Sequence, residues 1–371
     1  MIPQSNPKAN YNAHRAGIDA AVARVLESGW YILGKEVEAF EQEFSAAMGT
    51  GWSVGVANGT DAIEIALRAL GVVSGDAVLT VSHTAVATAS AIGRIGAIPI
   101  FIDIDPARYT MHPASLEAVL STAIGRSAKA LVIVHLYGMP ADLPAILALT
   151  GKYGIPVVED CAQAHGASLK GRPIGTWGDV SCFSFYPTKN LGALGDGGSV
   201  CGGDAALCKR VRLLREYGWH SRYISESFGF NSRLDELQAA ILREKLPFLP
   251  AENNRRREIA ERYGVGLQSL PIRLPTKVTE ARPVYHQYVI ESENRDDLRK
   301  TLDRAGISTL VHYPAAVHQQ PAFQARVSRP VPLPHTEAAI SRILSLPIYP
   351  ELDDAQVDEV TQTIQDWATR G

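Results

Sequence analysis

The chain has 371 residues, 46% apolar and 20% charged, which is too apolar for a disordered chain and long enough to form a large domain plus a smaller one. A formal net charge of −3 leaves no basic footprint for nucleic acid or for an anionic membrane surface. The cysteines Cys161, Cys182, Cys201 and Cys208 have no C-x-x-C spacing, so buried thiols are expected and no disulfide framework or metal site.

The first residues, Met-Ile-Pro-Gln-Ser-Asn-Pro-Lys, lack the charged and apolar regions of a signal peptide, and no run approaches the roughly 18 apolar residues of a membrane span. A cytoplasmic protein is expected. A Pro- and Asn-rich arm reaches about Asn12, followed by a helix over 16–28 stopped at Gly29 and a second from Lys35 to about Met48. Short β-rich runs then alternate with helical ones: strands over 53–57, 77–81, 98–102, 130–135 and 156–159, with helices over 61–70 and 85–95. That alternation argues for βαβ units around a mostly parallel sheet. The rhythm changes near residue 250, where prolines and the Arg255-Arg-Arg-Glu run lead into a long helix ending about Gly264. Beyond it come strands at 288–290 and 308–312, a helix over 295–305, a Pro-rich loop and a terminal helix. The expected division is a large domain over 1–250 and a smaller α+β domain over 251–371.

Three segments carry chemistry. In Val56-Ala-Asn-Gly-Thr-Asp-Ala-Ile a strand ends, Gly59 permits a tight turn and Thr60 is read as the cap of the next helix, whose free N–H groups would seat a phosphate. In Val157-Val-Glu-Asp-Cys-Ala-Gln-Ala-His an apolar strand delivers Asp160 to its carboxyl end, the edge where open α/β sheets bind ligands. A carboxylate there can hold a protonated pyridine nitrogen, the electron sink of pyridoxal phosphate, with Gln163 in reach of the ring hydroxyl; as a plain helix cap it would do neither. His165 is read as a satisfied structural histidine. In Ser181-Cys-Phe-Ser-Phe-Tyr-Pro-Thr-Lys-Asn-Leu-Gly-Ala a strand breaks at Pro187 and presents Lys189 before a glycine-rich stretch. An ammonium in such a turn is poorly solvated, so its pKa falls and the neutral amine becomes available for a Schiff base, while Ser184 can donate to the phosphate.

With Gly29-Trp-Tyr-Ile-Leu-Gly-Lys-Glu-Val-Glu-Ala-Phe-Glu, Gly229-Phe-Asn-Ser-Arg-Leu-Asp-Glu-Leu-Gln-Ala-Ala and Val311-His-Tyr-Pro, these segments resemble the DegT/DnrJ/EryC1/StrS sugar aminotransferases over nearly the whole chain. The resemblance implies an aspartate-aminotransferase-like (fold type I) α/β large domain and pyridoxal 5'-phosphate as cofactor. It implies that Lys189 forms the Schiff base, Asp160 pairs with the pyridinium, Gln163 meets the ring hydroxyl, and Gly59, Thr60 and Ser184 seat the phosphate. It also implies a homodimer with shared active sites, in which Asn231 reaches the partner's cofactor phosphate. One departure stands at Ser82-His-Thr-Ala-Val-Ala-Thr, where many relatives carry an aromatic residue that stacks on the cofactor and this chain has Ala85; either His83 stacks instead or that face is open. Lysine rather than histidine at 189 speaks for transamination over the family's dehydratase branch.

Expected sugar-nucleotide contacts are Tyr31, Tyr186, Tyr217, Arg222, Tyr223, Tyr313 and His318, residues able to offer aromatic faces or polar donors. The Phe-Tyr-Pro-Thr-Lys-Asn-Leu-Gly-Ala wording resembles the branch acting on dTDP-linked 3-keto-6-deoxy sugars, with glutamate as donor. The alternatives are a 4-keto nucleotide sugar, an aminocyclitol precursor, or a regulatory protein that holds cofactor without turnover.

Overall fold

The computed structural model describes residues 1–324 and 327–369. Seven strands form one sheet in the order 52–56, 198–202, 180–184, 157–160, 130–134, 77–81, 98–102. From 180–184 to 98–102 every pairing is parallel, and only Gly198–Gly202 runs against both its neighbours. The expected mostly parallel sheet is present. Its parallel strands read as continuous apolar runs because both faces are covered.

One face packs on Phe40, Phe44, Leu116 and Ile146 from the helices Lys35–Met48, Pro113–Leu120 and Leu143–Tyr153. The other packs on Ile63, Leu67, Ile92, Leu207 and Val211 from Gly59–Ala69, Val86–Ile95 and Ala205–Arg215. A second core gathers Ile259, Tyr263, Tyr288, Leu298, Leu344, Val360 and Ile364 around the antiparallel pair Tyr288–Glu291 and Ile343–Leu346. Ile2 belongs to this core and pairs with Ile307, so the N-terminal arm fastens to the C-terminal part of the chain.

Four local expectations need correcting. The arm contains a helix, Pro7–Ala13, because Asn6 accepts the Ala9 N–H at 3.0 Å and Pro7 occupies the first helical position. The long helix runs Leu249–Leu267, past Gly264. No strand forms over 308–312; only Leu310 pairs, with Ser345, before the chain turns away at Pro314. The partner of Tyr288–Glu291 is instead Ile343–Leu346, read from sequence as loop.

Candidate active site

The carboxyl ends of five strands converge on one edge of the sheet. Strand Trp52–Val56 leads to Gly59 and Thr60, Ala77–Val81 to His83, Ala130–Val134 to Tyr137, Val157–Asp160 to Gln163, and Val180–Ser184 to Lys189. This is where a parallel sheet leaves backbone N–H groups and loop side chains free to meet a ligand.

Asp160 is buried at 5% exposure, its Oδ2 accepting from Thr88 Oγ1 at 2.9 Å and its Oδ1 from the Ala162 N–H at 3.2 Å. Burial raises its pKa, while those two donors and the Lys189 charge pull the other way. Each carboxylate oxygen keeps a lone pair for a further donor. Lys189 sits in the crowded turn after Pro187, its backbone N–H donating to the Tyr186 carbonyl at 2.8 Å. Loss of solvation lowers its ammonium to about 8, against the attraction of Asp160, so the amine is neutral in a sizeable fraction of molecules near neutral pH.

The start of helix Gly59–Ala69 is capped by Asn58, whose side chain accepts the Asp61 N–H at 2.8 Å. Thr60, read from sequence as the cap, lies inside the first turn; the short amide one residue before Gly59 has the extended backbone that a cap needs. The shift leaves the first-turn N–H groups of Gly59 and Thr60 outside the intrahelical ladder. Ser184 packs against this helix start: a Cβ on Gly59 would stand 2.6 Å from Ser184 Cβ, and one on Gly198 would stand 2.5 Å from the Asn58 carbonyl oxygen.

His83 is buried, with Nε2 2.8 Å from the Tyr137 hydroxyl, and burial lowers its pKa to about 4, so the ring is neutral. Ala85 precedes helix Val86–Ile95 and presents no ring. Gln163 accepts the Tyr137 N–H at 2.6 Å through Oε1 and donates through Nε2 to the Tyr313 hydroxyl at 3.1 Å. Tyr313 thereby joins Gln163, and burial pushes its phenol up to about 12.

The remaining expected residues scatter. His318 is 6% exposed with both ring nitrogens engaged, Nδ1 by Ser82 Oγ at 2.7 Å and Nε2 by Glu337 at 3.3 Å; it ties the loop after strand Ala77–Val81 to helix Pro334–Arg342 in place of the expected sugar contact. His165 is fully buried against Phe183 and Phe185, the structural position expected of it; burial lowers its pKa to about 3, with the Ser184 backbone pulling the other way. Tyr31 and Tyr186 are half exposed. Tyr217, Arg222 and Tyr223 belong to the Trp219–Ser225 hairpin region and contact one another's neighbourhood, Tyr217 and Tyr223 against Trp219 and Arg222 over Tyr223. Asn231 is exposed and bridges to Glu216, while the next residue, Ser232, donates to Asp61 at 2.8 Å.

Sequence reasoning missed Thr88, Tyr137 and the buried pair of Glu159 and His135. Glu159 accepts N–H groups from Trp177 and Gly178 at 2.7 Å each and from Gly175 at 2.9 Å, and meets His135 Nε2 at 3.1 Å. Those donors outweigh its burial and hold its pKa below the ordinary value. Cys161 lies within 4.8 Å of this pair, but the carboxylate and imidazole already satisfy each other. The one signal for Tyr137 was its place at a Tyr-Gly turn directly after an apolar strand.

The profile of the DegT/DnrJ/EryC1/StrS aminotransferase family matches residues 12–365. The chain belongs to that family. It is 45% identical to dTDP-3-amino-3,4,6-trideoxy-alpha-D-glucose transaminase of Streptomyces venezuelae, over all of this chain and 97% of the relative. It is 42% identical to UDP-N-acetyl-3-dehydro-alpha-D-glucosamine 3-aminotransferase of Acidithiobacillus ferrooxidans, over 98% and 97% of the two chains. Among solved structures, S. venezuelae DesV in complex with a ketimine intermediate superposes with a TM-score of 0.96 at 45% identity, covering all of this chain and 99% of that one. As a member of this family the chain is a pyridoxal-phosphate-dependent sugar aminotransferase. The donor set fits that cofactor: a lysine with a lowered pKa, a buried carboxylate with spare lone pairs whose charge acts on it, and a helix start with free N–H groups where Gly59 and Gly198 leave no room for a Cβ. No helix among the described residues is long and apolar enough to cross a membrane.

Proposed function

We propose that the protein moves the amino group of glutamate onto a dTDP-linked 3-keto-6-deoxyhexose, as a cytoplasmic homodimer. The observation that carries this reading is the Lys189 amine, lowered by burial to about 8 within the field of the buried Asp160 carboxylate. Support for the sugar comes from the S. venezuelae relative, a dTDP-3-amino sugar transaminase matched from end to end. The unpaired cysteines agree with a reducing compartment.

Bound pyridoxal phosphate supplies an electron sink for the carbanion formed when the α-proton leaves. In this reading the Asp160 carboxylate would keep the ring nitrogen protonated, and the first-turn N–H groups of Gly59 and Thr60 with Ser184 would hold the phosphate. Gln163 would meet the ring hydroxyl and His83 would flank the ring. The Lys189 amine would take the α-proton and later return one to the sugar carbon; general base and acid are the two forms of one group whose pKa lies near the working pH. Two half-reactions follow, with ping-pong kinetics. Tyr31, Tyr186 and Tyr313 are the sugar-nucleotide contacts proposed within the subunit, Tyr217, Arg222 and Tyr223 those offered across the dimer, and Asn231 a contact to the partner's cofactor phosphate. The exposure of Phe228 (102%), Tyr223 (70%) and Ile224 (56%) supports burial of this hairpin by a second copy. Residues 251–371 are proposed as the smaller domain.

A second reading, an acetamido 3-keto sugar linked to UDP, is favoured by the A. ferrooxidans relative. The test is the visible spectrum of the cofactor-loaded protein. Glutamate should bleach its band, and a dTDP-linked 3-keto-6-deoxy sugar should restore it. Recovery only with the UDP-linked sugar would select the second reading, and no bleaching by glutamate would remove glutamate as donor.

A further inference from the structure

Tyr137 touches more of the site than any expectation assigned to it. It is buried and has a left-handed backbone, φ 61°, in the turn after strand Ala130–Val134. Its N–H donates to Gln163 Oε1 at 2.6 Å, and its hydroxyl meets both His83 Nε2, at 2.8 Å, and the His312 carbonyl. A carbonyl can only accept, so the hydroxyl proton goes to His312 and the phenol oxygen accepts from His83. That assigns the His83 proton to Nε2 and leaves Nδ1 as an acceptor. His312 immediately precedes Tyr313, whose hydroxyl returns to Gln163. The loop is closed: Tyr137 to His312, through the peptide to Tyr313, to Gln163, and back to the Tyr137 N–H.

The following glycine locks the turn. At Gly138 (φ 86°) a Cβ would stand 2.8 Å from Val284 Cγ2 and 3.0 Å from the Gln163 carbonyl, and its own carbonyl accepts the Val284 N–H at 3.1 Å. A second tyrosine with left-handed backbone, Tyr109, bonds Glu291 by its hydroxyl and packs its ring at 5.6 Å from that of Tyr137. It holds the same two parts of the chain together but bonds none of His83, Gln163 or Tyr313.

We propose that Tyr137 is a positioning residue for the transamination, which sets the tautomer and ring plane of His83 and carries the His312–Tyr313 segment onto Gln163 at the sugar side of the site. This rests on the reading that His83, Gln163 and Tyr313 line the cofactor and sugar. Loss of its hydroxyl uncouples Tyr313 from the cofactor side without touching Lys189 or Asp160, so the amino-donor half-reaction is spared and the sugar half-reaction is not.

The test compares Tyr137→Phe with Tyr109→Phe in the cofactor-loaded protein. Tyr137→Phe should shift the visible band and raise KM for the keto sugar about ten-fold, the size expected for losing hydrogen bonds of this kind, with bleaching by glutamate within about two-fold of the parent rate. Tyr109→Phe should leave band and KM unchanged. An unchanged band and KM in Tyr137→Phe, or the same changes in Tyr109→Phe, would overturn the proposal, since the second outcome assigns the effect to the seam as a whole. Nitrogen NMR of the His83 ring in the unsubstituted protein needs no variant to fold: an Nε2–H tautomer is expected, and Nδ1–H overturns the assignment. Neither the band nor the tautomer depends on the acceptor sugar, so failure of the substrate reading would show separately, as no recovery in the parent protein.

Discussion

Thr88 donates its hydroxyl proton to Asp160 Oδ2 at 2.9 Å, across 72 residues of chain. Thr88 lies on the buried face of helix Val86–Ile95 and Asp160 at the end of the neighbouring strand system. The bond favours the ionised form of a carboxylate whose pKa burial raises.

Thr88→Val should therefore raise the Asp160 pKa and weaken its hold on a protonated ring. The expected result is a loss of roughly 10-fold in cofactor affinity, from one charge-assisted bond removed in a buried site, read by titrating the visible band.

Lys189→Ala should abolish both turnover and the lysine-dependent visible band while leaving a folded protein. Bound cofactor without the shifted band in the variant would keep the Lys189 assignment; any residual full activity would end it.

The cofactor-free protein should change stability with pH through the same lysine. Its folded value near 8 lies below the ordinary 10.5, so below about 8 the charged amine is buried at full cost, and that cost falls away as pH rises toward 10.5. Thermal midpoints between pH 7 and 10 should thus gain a rising contribution that Lys189→Met lacks. Parallel curves for the two proteins would contradict it.

Glu159→Gln places an amide nitrogen among N–H donors that now face a carboxylate. Destabilisation of about 2–4 kcal/mol is expected from the loss of a buried charge bonded on several sides, measured by urea unfolding. Because its folded pKa is held low, the stability it contributes is present above the unfolded carboxyl value and is lost as pH falls through the folded one. The variant should be flatter in that acidic window.

Gly59→Ala should act on the phosphate seat. The added Cβ meets Ser184 Cβ at 2.6 Å, so one of the two must move. Affinity for pyridoxal phosphate should fall by about 10-fold or more, as overpacking costs of 1–3 kcal/mol imply, with a smaller change for pyridoxal lacking the phosphate; equal losses for both would place the damage elsewhere.

How much of this was legible beforehand divides by the range of the interactions. The strands through residue 160 and the helices between residues 16 and 95 followed from apolar runs and helical spacing, because burial on both faces of a parallel sheet leaves continuous apolar text, whereas helices Pro113–Leu120 and Leu143–Tyr153 were not read. Asp160, Gln163, Ser184 and Lys189 stood out because each follows a strand end at short range and has a chemistry suited to one cofactor. Helix Pro7–Ala13 escaped, since its proline reads as a breaker unless the cap at Asn6 is seen.

The amino-acid sequence by itself determined the α/β class, the sheet edge at which the strand ends gather, and the lysine and carboxylate whose charges act on each other there. Tertiary structure alone decided the partners: Thr88 for Asp160, Tyr137 for His83 and His312, and Ser82 and Glu337 for His318, the last turning an expected sugar contact into a tie between a loop and a helix. The physical reason is common to all of them. Strand ends and turns are written in neighbouring residues, whereas a hydrogen bond between loops depends on which strands the chain has already placed side by side.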